Sequence, residues 1–111
     1  MKTLGNDHPD VASTFYNMAI VYQNQGNYDK ALAYYGKALE IQLKKVGNDH
    51  PSVAGTYNNT AVAYVSQGMY DEALEYYGKA LEVRLKTLGN NHPDVVLTYN
   101  NMAIVYQNQG M

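Results

Sequence analysis

Residues 16–40 decide the fold, and they read YNMAIVYQNQGNYDKALAYYGKALE. Before Gly26, Ala19 and Tyr22 belong to a stripe of small and large apolar residues at helical spacing. After the glycine, a second stripe of the same kind continues through Ala31. A glycine is well suited to end a helix in the left-handed conformation. The stretch therefore predicts two amphipathic helices joined by a tight turn, which we call helix A and helix B.

The same pattern returns with a period of 42 residues, because the dipeptide His-Pro starts at residues 8, 50 and 92. Aligning residues 4–45 with 46–87 gives 26 identities in 42 positions, and aligning 4–27 with 88–111 gives 18 in 24. A fixed period of this length is typical of a solenoid, in which small helical units stack to share a core. We therefore expect one array over residues 1–111. Its repeats are 4–45, 46–87 and 88–111, the last ending after helix A.

The helix boundaries follow from prolines and glycines. Each helix A should begin at the proline of the His-Pro pair, since proline is favoured in the first helical turn. Helix B carries Lys and Glu on its outer face, as a solvated helix does. The prediction is an all-α solenoid of five helices in the order A1-B1-A2-B2-A3. Helix A covers about 9–25, 51–67 and 93–109, and helix B covers about 28–45 and 70–87.

Composition excludes several classes of function. The 111 residues include 8 Lys+Arg and 10 Asp+Glu, for a net charge of −2, without the basic cluster that nucleic-acid binding needs. The chain has no cysteine, which excludes disulfides and thiolate metal sites and fits a reducing compartment. No apolar run approaches the length of a membrane span, and the first residues do not resemble a signal peptide. We expect a cytoplasmic protein that binds neither nucleic acid nor membrane.

The three histidines are the residues that most invite a catalytic or metal-binding interpretation. Equivalent positions in successive repeats lie at least a helix-packing distance apart, which is too far for two ligands of one ion. Asp7-His8 and Asp49-His50 are adjacent in sequence, but no nucleophile accompanies them and the third repeat has Asn91. Because each histidine precedes a helix-starting proline, we interpret it as a capping residue. We predict no enzyme, no metal and no cofactor.

The glycines form no phosphate-binding motif. Gly36 and Gly78 lie inside helix B, where glycine costs about 1 kcal/mol relative to alanine. A close approach by a neighbouring helix would account for them, and we expect one.

The face of helix A opposite the core stripe is uncharged, unlike an ordinary solvated face. It repeats one amide and one aliphatic residue, groups that suit the backbone and the side chains of a peptide. This face comprises Ser13, Asn17, Ile20 and Asn24 in A1, Gly55, Asn59, Val62 and Ser66 in A2, and Leu97, Asn101, Ile104 and Asn108 in A3.

The repeat resembles the tetratricopeptide repeat, with the family's hallmark residues at Ala19, Tyr22, Gly26, Tyr28, Ala31, Tyr35 and Ala38. Its 42-residue length is similar to the long repeats of kinesin light chains and nephrocystin-3. The resemblance implies a right-handed solenoid whose helices A line a concave groove for an extended peptide or partner protein. It implies that Asn17, Asn59 and Asn101 hold the peptide, flanked by Tyr16, Asn58 and Asn100. In the alternative, these amides bridge adjacent helices or bind water, and the array is a structural spacer or self-assembling segment.

The third repeat should leave part of its core stripe exposed. Met111 aligns with Met69, the residue before helix B2, so helix A3 has no helix B of its own in this sequence. Two such faces could cover each other in a two-fold homodimer. The predicted self-association residues are Tyr99, Met102, Ala103 and Tyr106.

Overall fold

The computed structural model describes residues 9–110, with side chains from residue 11 onward. It contains five α-helices in the predicted order, and residues 9–110 form no β-strand. Every helix boundary lies within one residue of the predicted one. The helices are α1 (Pro9–Asn24), α2 (Tyr28–Val46), α3 (Pro51–Ser66), α4 (Tyr70–Leu88) and α5 (Pro93–Asn108). Thus α1, α3 and α5 are the A helices, and α2 and α4 are the B helices.

Two of the three connector histidines, His50 and His92, cap their A helices, as predicted. His50 Nδ1 accepts a hydrogen bond from the backbone N–H of Ser52 at 3.1 Å. His92 Nδ1 accepts one from the N–H of Asp94, also at 3.1 Å. Each ring thus satisfies a backbone donor that the first helical turn leaves without a partner. His8, Asp7 and Met111 lie outside the described residues.

The turn after each A helix depends on a glycine. Gly26 has φ +79°, a conformation that side chains other than glycine rarely adopt. Around it, the N–H of Asn27 donates to the carbonyl of Tyr22 at 2.8 Å, and the N–H of Gly26 donates to that of Gln23 at 3.0 Å. These two bonds satisfy carbonyls at the end of α1 in a Schellman motif. The chain reverses here, so α2 packs antiparallel to α1.

Alanine and tyrosine together form the core of each repeat. Ala19, Ala31 and Tyr35 are fully buried where α1 crosses α2, and Tyr35 donates its hydroxyl to Gln23 Oε1 at 2.5 Å. Ala61 and Tyr77 occupy the equivalent core of the second repeat. The alanines let the helix backbones approach closely, and the tyrosine rings fill the remaining volume. The predicted core stripe is confirmed in both repeats.

Adjacent repeats are joined by hydrogen bonds that recur with the period of the sequence. Gln67 Nε2 donates to Asp29 Oδ1 at 2.8 Å, and 42 residues later Gln109 donates to Asp71 at 3.0 Å. Along the chain, each helix packs against the next, so α2 contacts α3 and α4 contacts α5. The result is a helical repeat solenoid with extents of 53 × 32 × 18 Å.

The close helix approach expected at Gly36 and Gly78 is wrong. A Cβ built at either position meets no heavy atom within 4 Å. Each of the helices α2 and α4 packs against its neighbouring helices through alanines and tyrosines, and no close contact requires a glycine at either position.

We expect Gly36→Ala to raise the free energy of unfolding by about 0.5–1 kcal/mol, because alanine loses less backbone entropy in a helix and nothing obstructs its methyl group. Urea unfolding of both proteins measures the difference. Gly26→Ala is the matched control and should destabilise the protein, since its φ is positive. A loss of stability in Gly36→Ala would contradict this account of the helix.

Candidate functional site

The predicted peptide-binding residues lie on one side of the A helices, which we call the groove face. Asn17 is exposed there, whereas Asn59 and Asn101 are half-buried. The aliphatic positions differ, because Ile20 and Val62 are half-buried and Ile104 is 51% exposed. Asn24, Ser66 and Asn108 are exposed at the carboxyl ends of their helices.

A cleft of about 420 Å³ opens on this face between α1 and α3. It brings together two of the predicted residues, Tyr16 and Asn17. It also contains Ser13 and Gly55, which the helical periodicity places on the same face. The complete lining is Ser13, Tyr16, Asn17, Gln42, Ser52 and Gly55.

A second cavity of about 260 Å³ adjoins the cleft, since the two share Ser13, Gln42 and Ser52. It extends toward the end of α2, where Lys45 and the capping residue His50 contribute to its wall. The helical periodicity of the A helices could not reveal the α2 residues of this cavity, Gln42 and Lys45 among them, because they belong to helix B. The two cavities together form a depression at one end of the α1–α3 junction, in which amide and hydroxyl side chains are set in a mostly apolar surface.

Gln42, which lines the cleft, also forms a hydrogen bond between the first and second repeats. The Thr56 hydroxyl donates to Gln42 Oε1 at 2.7 Å, so α2 is tied to α3 at the floor of the cleft. One repeat later Arg84 replaces Gln42, and its Nη1 donates to the hydroxyl of Thr98 at 2.8 Å. The threonine that recurs at this position of helix A, Thr56 and then Thr98, is the feature of the sequence from which these contacts could have been predicted.

Tyr16 and Asn59 connect the first two A helices directly. The Asn59 amide Nδ2 donates to the Tyr16 hydroxyl, linking α1 to α3 across the groove face. Burial raises the pKa of the Tyr16 hydroxyl, and the positive charge of Arg84 and the Asn59 hydrogen bond partly offset that rise.

Asn58 and Asn100 occupy the position of Tyr16 in the second and third repeats, and their surroundings differ. Asn58 is half-buried, and its Oδ1 has no hydrogen-bond partner among the described residues. Asn100 is exposed. The Asn59 hydrogen bond that links α1 to α3 thus depends on Tyr16, which the second and third repeats replace with an asparagine.

Amide and hydroxyl groups set in an apolar surface define the chemistry of this face, and one cation, Lys45, lies in the wall of the adjoining cavity. Within residues 11–110, no three His, Asp or Glu side chains come together as metal ligands. None of the five helices is long and apolar enough to cross a membrane.

The family model for the tetratricopeptide repeat matches residues 10–86 and 53–111, which together cover nearly the whole chain. The chain belongs to the tetratricopeptide repeat family. Its repeats are of the kinesin light chain type. Members of this family are generally scaffolds for protein–protein interaction, and they are typically non-enzymatic.

Solved structures share the architecture of this chain. BtubC (BKLC) from P. vanneervenii aligns with a TM-score of 0.85 at 28% identity, over 92% of this chain and 41% of that one. The nearly identical TPR-like repeats of a putative kinesin light chain from Podosopora anserina align with a TM-score of 0.86 at 29% identity, over 97% and 51%. The chain thus spans about half the length of these structures or less. No curated protein matches its sequence.

Proposed function

We propose that this tetratricopeptide array binds an extended segment of a partner protein along the groove face. The observation that carries the proposal is the cleft between α1 and α3, because its mostly apolar surface is lined by the exposed Asn17 together with other amide and hydroxyl side chains. An asparagine amide offers both a donor and an acceptor, and can pair with the N–H and C=O of one peptide unit. A cleft of this volume accommodates a few residues of an extended chain.

The three asparagines have different parts in this proposal. Asn17 is available to a ligand, because its side chain is exposed beside the cleft. Asn59 already donates to Tyr16, so it supports the wall of the groove as well as facing it. Asn101 and Ile104 extend the same face along α5. The alternative, an array that serves as a spacer, predicts no ligand at any of them. The cytoplasmic location stays a prediction.

Peptides selected from a random display library against the whole chain test the proposal. We expect selected peptides to bind Asn17→Ala more weakly by about 1–3 kcal/mol, the cost of leaving a buried backbone group unpaired. Isothermal titration calorimetry measures the loss. Asn90→Ala is the matched control, because Asn90 is exposed in the α4–α5 connector outside the cleft and the substitution is chemically the same.

Asn59→Ala needs a separate stability measurement, since it removes the bridge to Tyr16 along with any ligand contact. Failure to select a binding peptide would contradict the groove and favour the spacer. Equal losses in Asn17→Ala and Asn90→Ala would also contradict it.

A further inference from the structure

Each complete repeat stacks one tyrosine of helix B on one tyrosine of helix A. In the first repeat, the rings of Tyr22 and Tyr34 have centroids 5.5 Å apart and planes 13° from parallel. In the second, the rings of Tyr64 and Tyr76 have centroids 5.5 Å apart and planes 20° from parallel. Both repeats therefore hold two phenols face to face, although the members of each pair are 12 positions apart in sequence.

The stacked tyrosines are within reach of solvent. All four residues are half-buried, so a small oxidant can approach their rings. Tyr16 and Tyr35 form a contrasting pair, because their planes are 66° apart with centroids at 5.8 Å and Tyr35 is 0% exposed. The two stacked pairs thus combine close, near-parallel rings with access for a reagent from solution.

We propose that the pairs Tyr22–Tyr34 and Tyr64–Tyr76 are modification sites, at which a one-electron oxidant produces a dityrosine cross-link. Each phenol gives one electron to the oxidant and its hydroxyl proton to water, which leaves a phenoxyl radical. The two radicals join through a new carbon–carbon bond between the ring carbons beside the hydroxyls. The hydrogen on each joined carbon then leaves as a proton and each oxygen regains one, so both phenols are restored. In sum, a pair loses two electrons and two protons, and two equivalents of the oxidant are each reduced by one electron.

The cross-link is a covalent staple between helix A and helix B of one repeat. The chain has no cysteine, so a disulfide cannot supply such a staple. A bond between residues 12 positions apart restricts the unfolded chain and stabilises the repeat, for the same reason as a disulfide does. The cleft of the groove face is lined by other residues, so the staple does not depend on a peptide bound there.

The first repeat gives the cleaner test, because Tyr34 lies between Tyr22 and Phe15. Phenylalanine has no hydroxyl and forms no phenoxyl radical. In the second repeat the equivalent of Phe15 is Tyr57, which is 8% exposed and has its ring plane 42° from that of Tyr76. Tyr76 should therefore couple to its stacked partner in preference to Tyr57.

Photochemical oxidation of the dilute whole chain, with a ruthenium polypyridyl complex and persulfate, tests the proposal. We expect dityrosine fluorescence from protein that remains a monomer on a denaturing gel. Mass spectrometry of proteolytic fragments should show residue 22 linked to 34 and residue 64 linked to 76, each product lighter by two hydrogen atoms. The cross-linked protein should have a higher urea midpoint of unfolding than the untreated protein.

Tyr34→Phe and Tyr76→Phe each keep the ring and remove the phenol. Each variant should lose the cross-link of its own repeat and retain that of the other repeat, so each is a control for the other. Tyr106→Phe is the matched control, because Tyr106 occupies the equivalent position in α5 and is 43% exposed. It should leave both intramolecular cross-links unchanged.

Three results would overturn the proposal. The first is dityrosine that forms only between molecules, through exposed tyrosines such as Tyr99, which is 51% exposed. The second is an intramolecular cross-link that maps to another pair or persists in the Tyr34→Phe/Tyr76→Phe double variant. The third is a cross-linked protein no more resistant to urea than the untreated one.

Discussion

Tyr35→Ala is expected to lower the free energy of unfolding by about 3–5 kcal/mol, the usual cost of truncating a fully buried aromatic side chain. The Tyr35 ring is 0% exposed and packs between Ala19 and Ala31. It also makes an edge contact with the Tyr16 ring at 5.8 Å. Removing it leaves a cavity at the crossing of α1 and α2 and deprives Gln23 of its hydrogen bond.

The loss of stability in Tyr35→Ala should affect the first repeat before the rest of the array. A solenoid is stabilised by each repeat and by its contacts with the next, so a cavity in the first repeat can unfold that repeat before the second. Urea unfolding measures the total change, and amide hydrogen exchange locates it. We expect α1 and α2 to lose protection while α4 retains it.

Two variants separate the contributions of Tyr35. Tyr35→Phe keeps the ring and removes only the hydroxyl, so it should cost about 0.5–1.5 kcal/mol. Tyr99→Ala truncates an exposed tyrosine and should change stability little. A Tyr35→Ala protein no less stable than Tyr99→Ala would show that the α1–α2 core is not packed around this ring.

The fold was predictable because the same local signals occur in every repeat. Proline, glycine and the stripe through Ala19 and Ala31 each determine one helix boundary or one buried face. His50 could be interpreted as a cap because it directly precedes Pro51. Local signals fail where the outcome depends on the next repeat. Nothing near Gly36 in sequence shows that the space beside it is empty.

The candidate site was predictable only in part, for the same reason. Helical periodicity places Asn17, Asn59 and Asn101 on one face, yet it gives no distance between helices. It therefore could not show that Asn59 reaches Tyr16, or that Gln42 of helix B forms the floor of the cleft. These contacts depend on how one repeat is positioned on the next, which side-chain volumes along the entire interface determine.

Stability should fall steeply between about pH 10 and pH 12, since the buried tyrosines resist ionisation. Burial, reinforced by the nearby Tyr16, raises the pKa of Tyr35 to about 12. Burial also raises the pKa values of Tyr16, Tyr64 and Tyr77. An unfolded tyrosine has a pKa of about 10. Below that pH both states are protonated, and the contribution of these tyrosines to stability is complete.

Above about pH 10 the unfolded chain releases tyrosine protons that the folded protein retains, so unfolding becomes more favourable as the pH rises. For Tyr35 alone, two pH units correspond to about 2–3 kcal/mol lost by pH 12. Urea unfolding at a series of alkaline pH values measures how steeply the free energy of unfolding falls with pH.

Tyr35→Phe should start less stable but lose stability more gradually, because it has no phenol to ionise at this position. Tyr99→Phe removes an exposed phenol and should keep the parent slope. If Tyr35→Phe and Tyr99→Phe show the same slope, the buried hydroxyl of Tyr35 does not control the alkaline transition.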